Sequence, residues 1–419
     1  MERKMKDSGV TWIGCIPENW NVQKVKTAFY RSKEEAHIED PVVLSLARSG
    51  VKVRDISTNE GQLAESYYNY NPVVPGDLLL NPMDLYSGAN CSISKVEGVI
   101  SPAYINLRTR GNYSPAYYDY YFKTQYWAMA LFAHGKGVSF DNRWTLSPND
   151  LFNYAIPVPS YTEQKKIADF LDQKCSEIDS VIEKTRTTIE EYKLLKQSLI
   201  TKAVTKGIHD GCKMVETDYE WIGEIPFTWK AIKVKWLLNE RKERSEEGKE
   251  EPLSMSQKFG IIPTKEMDMI PNMAATFVGA KLVYVGDLVF NKLKAHLGVF
   301  AVSKYEGLVS PDYAVYYPTG VANVKYLEYL FKTPQYIAEF RKKSSGVGAG
   351  LTRLYTDDLF SIYCSLPPME EQEEIIAYLD KKCAEMDTLI ARKTALLEEM
   401  ESYKKSVIYE YVTGKKEVQ

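Results

Sequence analysis

Cysteine and histidine are scarce in this chain of 419 residues, which has six of the first and four of the second. The cysteines stand at 15, 91, 175, 212, 364 and 383 and form no CxxC pair. With the histidines dispersed, the pattern argues against a zinc module and favours a reducing compartment over a disulfide-stapled secreted fold. No apolar run approaches about 18 residues, and no charged, apolar and small leader opens the sequence. Neither a membrane span nor secretion is therefore expected, and the expected compartment is the cytoplasm. Excess positive charge is missing too. The 53 Lys and Arg face 56 Asp and Glu, a net charge of −3. This argues against a polycation that simply coats nucleic acid but leaves room for a local basic face. The chain is 44% hydrophobic and 26% charged, and at this length it has material for two or three domain cores.

Proline and glycine are absent from Tyr161 to Lys206, and here the organisation of the chain becomes visible. Steps of four and three residues from Leu171 land on Cys175, Ile178, Ile182, Thr185, Ile189, Tyr192, Lys196, Leu199 and Ala203. That is a mostly apolar seam of average period 3.5 on a helix roughly 65 Å long, with Lys and Glu on its other faces. Thr162 with Glu163 and Gln164 suits a capped start, and Gly207 a stop. The partner helix is expected in the same chain. Residues 368–415 repeat the pattern at an offset of 208, placing Leu379, Cys383, Met386, Ile390, Leu397 and Val407 on the equivalent seam.

The segments between the helices repeat as well. Trp12-Ile-Gly-Cys-Ile-Pro17 returns as Trp221-Ile-Gly-Glu-Ile-Pro226, Gly76-Asp77-Leu78 as Gly286-Asp287-Leu288, Ser101-Pro102 as Ser310-Pro311, and Leu151-Phe152 as Leu359-Phe360. Residues 42–74, by contrast, share almost nothing with 252–284. The expected fold is α+β, with two pseudo-symmetric mixed domains at 1–158 and 208–366 and long helices at 159–207 and 367–419. A two-fold relation between the copies makes the helix pair antiparallel. Short strands are expected at 42–46, 77–80, 90–94, 281–285, 287–290 and 297–302, and helices at 116–132 and 323–343.

Two basic loops occupy matching places in the repeat. Between Val289 and Arg353 nine Lys and Arg face four acids. The stretch from Arg341, Lys342 and Lys343 through Ser345 to Arg353 is a basic helix end running into a small-residue loop. With Lys292 and Lys294 it forms a candidate DNA-binding set. The first copy offers Lys136, Ser139, Arg143 and Trp144. Such cations suit phosphates, and the glycines among them permit close backbone approach. For either loop alone a solvated turn is about as good an account; their common place in the repeat favours DNA. Gly346-Val-Gly-Ala-Gly350 follows a basic helix rather than an apolar strand, which argues against a nucleotide loop. Asn81-Pro-Met-Asp84 lacks the second proline and the aromatic of an amino-methyltransferase tetrapeptide, so a strand-ending turn fits better. No catalytic or metal-ligating residues are assigned.

The WIG-x-IP openings, GDLL and GDLV, SPAY and SPDY, the DLF near each domain end, and the EQ-x-x-I-x-x-x-LD start of each long helix resemble the specificity subunit of type I restriction–modification systems. The resemblance covers essentially the whole chain in both copies. It implies two target-recognition domains, each reading one half of a split double-stranded DNA sequence, and helices that set the spacing. It also implies two separate modification subunits that methylate adenine with S-adenosylmethionine and, where present, nuclease-translocase subunits. On this reading the chain carries no cofactor and is not itself an enzyme. The competing classes are a single-chain adenine methyltransferase with built-in specificity and a scaffold that binds proteins or glycans.

Overall fold

A computed structural model describes residues 3–57, 64–83, 85–86, 90–137, 144–209, 211–256, 259–267, 276–346 and 352–418. The chain divides into two compact units, one formed by Met1–Arg186 with Ala395–Gln419 and the other by Thr187–Thr394. Each unit contains part of both long helices, Tyr161–Lys206 and Met369–Val412.

The first unit is built on a four-stranded antiparallel sheet in the order Phe29–Ser32, Ile105–Thr109, Leu78–Leu80, Cys91–Ile93. In the second, Leu238–Glu240, Tyr313–Pro318, Leu288–Asn291 and Phe300–Val302 take the same order. The triplet Leu78–Leu80 is buried throughout because both sheet faces are covered. Leu78 and Leu80 pack on the helical side with Tyr117, Tyr121, Phe122 and Leu171. Leu79 points the other way, towards Leu44, Leu46, Val73 and Ile100. Leu288 and Phe290 repeat the first role and Val289 the second.

The dissimilar segments 42–74 and 252–284 nevertheless fold alike. Leu44–Ala47 pairs with Gly50–Val53, and Leu253–Ser256 with Gly260–Pro263. Asn71–Val73 pairs with Gly98–Ile100, and Lys281–Val283 with Gly307–Val309. Gly98 and Gly307 explain the tight seating of these ribbons. A Cβ on Gly98 would sit 2.5 Å from the Val42 carbonyl oxygen, and one on Gly307 nearer still to that of Glu251. What differs is the filling. The cross-strand neighbours Leu80 and Cys91 are Phe290 and Phe300 in the second unit, with rings stacked at 4.4 Å.

Within each unit the start of one long helix lies against the end of the other. Leu171 and Cys175 share a core with Val407, Ile408 and Val412, and Ile375, Leu379 and Cys383 with Ile200, Ala203 and Val204. Lys404 reaches Asp179 at 2.6 Å, and the equivalent Lys196 reaches Asp387 at 2.6 Å, in one antiparallel register. Gly207 and Gly414, in the left-handed region at φ 81° and 71°, follow the two helix ends. Buried glutamines fasten the helix starts. Gln164 accepts from the Ser114 amide at 2.8 Å and donates to the Pro159 carbonyl at 2.9 Å. Gln372 does the same with Asn323 and Pro367, at 2.8 and 2.9 Å.

The helix expected over 323–343 is two helices, Val324–Phe331 and Pro334–Lys343. Pro334 has no N–H for the preceding turn and clashes with a continuing helix, but it is well placed at a first helical position. The helix expected over 116–132 runs Pro115–Trp127, and a 3-10 turn, Phe132–His134, follows after Met129 at φ 57°.

Candidate nucleic-acid interface

The sheet positions each basic stretch in the same way. The Leu146 amide donates to the Pro82 carbonyl at 2.8 Å, and the Leu354 amide to the Lys292 carbonyl at 3.0 Å. Residues 82 and 292 are therefore equivalent, as are 145 and 353. Both follow an asparagine that turns the chain out of its strand, since Asn81 accepts from Met83 N–H at 2.9 Å and Asn291 from Leu293 N–H at 3.1 Å. The Asn81 carbonyl also receives the Tyr126 hydroxyl at 2.7 Å. Asn81 is thus the strand-ending turn; Asp84 lies outside the described residues.

In the first unit Lys136 bridges to Thr145 and holds its amine 3.5 Å from Asp150 with the side chain exposed. Trp144 is half-buried, donates to the Phe132 carbonyl at 2.9 Å and tilts against that ring at 5.5 Å. It therefore packs against Phe132. Ser139 and Arg143 lie outside the described residues.

In the second unit Arg341 and Lys342 are exposed and Lys343 half-buried in the last turn of Pro334–Lys343, where a helix C-terminus favours cations. Lys342 stands 3.8 Å from Glu339. Ser345 is exposed and pairs with Arg353 across a short ribbon, Ser345–Gly346 with Thr352–Arg353; residues 347–351 lie outside the described residues. Arg353 donates to Asp312 at 2.9 Å. Lys294 is exposed, whereas Lys292 is half-buried. Burial, and then the charges of Lys281 and Arg353, hold the Lys292 amine below the ordinary lysine pKa. Lys281, read from the sequence only as the start of a strand, is a nearly buried cation 3.4 Å from Glu240. It and Arg353 are the cations that act on Lys292, so the three form one charged cluster.

Along the helices Leu171, Cys175, Ile178, Ile182, Ile189, Leu379, Cys383 and Val407 are buried, while Leu199, Met386, Ile390 and Leu397 are half-buried. Burial raises the pKa of the Cys175 and Cys383 thiols, as for apolar packing positions. Among the described residues no helix is long and apolar enough to cross a membrane, and no cluster of His, Cys, Asp or Glu has the makings of a metal site.

One frame is thus built twice, with different side chains at its matching positions. The chain is 24% identical to the putative type I restriction enzyme MjaX specificity subunit of Methanocaldococcus jannaschii, over 97% of this chain and 95% of that protein. It is 25% identical over 278 residues to the type I restriction enzyme MjaVIII specificity subunit of the same organism, covering 63% of this chain and 62% of that one. No protein-family model matches. Its fold is similar to a chain solved in work on complex assembly and conformational transition of the type I R-M system, with a TM-score of 0.69, 15% identity, and coverage of 95% of this chain and 98% of that one. The HsdS subunit of Thermoanaerobacter tengcongensis is also similar, with a TM-score of 0.54, 15% identity, and coverage of 96% and 98%. The chain is thus similar to specificity subunits of type I restriction–modification systems in sequence over nearly its whole length, and to solved chains of such systems in fold.

Proposed function

We propose that the chain is the sequence-reading subunit of a type I restriction–modification complex and that each globular unit reads one half of a split duplex target. The long helices set the separation of the half-sites and dock two modification subunits, which bind S-adenosylmethionine and methylate adenine in the cytoplasm. Nuclease-translocase subunits join where they are present. The observation that carries this reading is the shared frame whose matching loops carry different side chains. Two copies of one reader with different contents suit two different half-sites. Exposed Leu194 and Leu195 on the first long helix offer apolar surface to a partner subunit.

The test is to replace residues 21–156 with the matching part of another such subunit and map methylated adenines in cells that also make the modification subunit. One half-site of the motif changes and the other stays. If both change together, the units do not read independently; a chain that methylates DNA by itself would instead be a single-chain methyltransferase.

A further inference from the structure

Around Lys292 stand three cations, itself included, and two acids, whose pairing leaves one cation over. Lys281 pairs with Glu240 and Arg353 with Asp312. The half-buried Lys292 is held through its carbonyl by the Leu354 amide, but its side-chain amine makes no hydrogen bond or ion pair among the described residues. A partly desolvated amine without a fixed acceptor is costly to keep in a folded protein, and an acceptor supplied by a ligand removes that cost.

The first unit is an internal control for what this cluster does. The ladder registers and the paired Leu146 and Leu354 hydrogen bonds equate Lys281 with Asn71, Lys292 with Pro82 and Arg353 with Thr145. None of those first-unit residues is charged. The fold is complete with Pro82 in place of Lys292, so the backbone frame does not require the lysine. Phosphate contacts serve every duplex alike and carry no sequence information, so they suit cations common to both units. Lys292 and its neighbours sit instead where the two copies diverge within a common frame.

We propose that Lys292 is a specificity-determining residue of the second unit, donating its ammonium protons to an acceptor edge of a base in the major groove, the O6 and N7 of guanine. The proposal rests on the DNA-reading function above and adds to it the residue and the chemistry that it reads. Lys281 and Arg353 are positioning residues. Each is engaged by its own acid, and together they keep the surroundings cationic while the Lys292 amine has no acid of its own.

The full chain, assembled with its modification subunit, is used to select from a pool of duplexes with randomised positions, alongside K292M and K292R. The wild type enriches a two-part motif containing a guanine in one half. K292M loses the preference at that single position by about tenfold or more while the other half of the motif is retained, which shows that the variant is folded. K292R keeps a guanine preference there, because a guanidinium donates to the same two acceptors. A K292M motif identical to the wild type overturns the assignment. So does a uniform loss of affinity across sequences with a shallower salt dependence, which would mark a phosphate contact. A wild-type complex that enriches no motif overturns the DNA-reading function itself, and this proposal with it.

Discussion

Replacing Gln164 with alanine tests whether the start of the long helix is bolted to its recognition unit. Gln164 is 1% exposed. Its amide closes two backbone groups at once, the Ser114 N–H at 2.8 Å and the Pro159 carbonyl at 2.9 Å. Ser114 in turn caps the helix Pro115–Trp127, accepting from the Tyr117 amide at 3.4 Å. Alanine reaches neither group, and Ser114 is too buried for water to replace the lost acceptor freely. At about 1–3 kcal/mol for each of the two stranded backbone groups, Q164A costs roughly 2–6 kcal/mol locally. Because the chain has two compact units, one melting temperature does not isolate this site, and the assay is hydrogen exchange read on peptides. At tenfold per 1.4 kcal/mol, the peptide containing Ser114 speeds up by about thirtyfold or more in Q164A, and the one containing Asn323 does so in Q372A. The two effects are expected to be independent, because the sites belong to different compact units. A folded Q164A whose Ser114 peptide exchanges at the wild-type rate would show that the clasp contributes nothing and that apolar packing alone seats the helix.

Arg341, Lys342 and Lys343 changed together to alanine weaken duplex binding; if all three meet phosphates, the slope of log affinity against log salt becomes shallower by about 2.7. An unchanged slope in a salt titration places these cations away from DNA. Four residues inserted into both long helices, after Thr187 and after Thr394, keep each half-site and lengthen the non-specific spacer by one or two base pairs. Each helix gains about 6 Å and close to one full turn. Methylated-adenine mapping reads the spacer, and a fixed spacer with altered half-site bases would show that the helices do not set it.

The long helices were legible because their apolar residues recur at a fixed period over many turns without a proline. The place where a strict 3.5-residue seam fails is physical. By Leu199 the chosen row is only half-buried, and Ile200 and Val204 from outside it join Ala203 in carrying the packing, since a helix of 3.6 residues per turn drifts across a 3.5-residue pattern. The break at Pro334 was passed over because apolar residues continue at helical spacing on both sides of it. Hairpins 44–53 and 253–263 could not be matched from sequence, because their likeness lies in backbone pairing and in the close approach at Gly98 and Gly307 rather than in shared side chains. The charged cluster was illegible for another reason. Lys281, Lys292, Arg353, Glu240 and Asp312 come from separate elements and meet only when the sheet forms.

The division of the chain between the two units also sets an order of events during synthesis. Residues 187–394 are contiguous, so every element of the second unit has emerged once Thr394 is made. The first unit is closed by residues translated much later. Val407, Ile408 and Val412 belong to its core, and the Val412 carbonyl takes the buried Tyr117 hydroxyl at 2.7 Å. Until those residues leave the ribosome, Leu171, Cys175 and the aromatic cluster beside them lack their cover. The part of the protein made first therefore finishes folding last, and for most of translation it is the part in need of a chaperone's shelter.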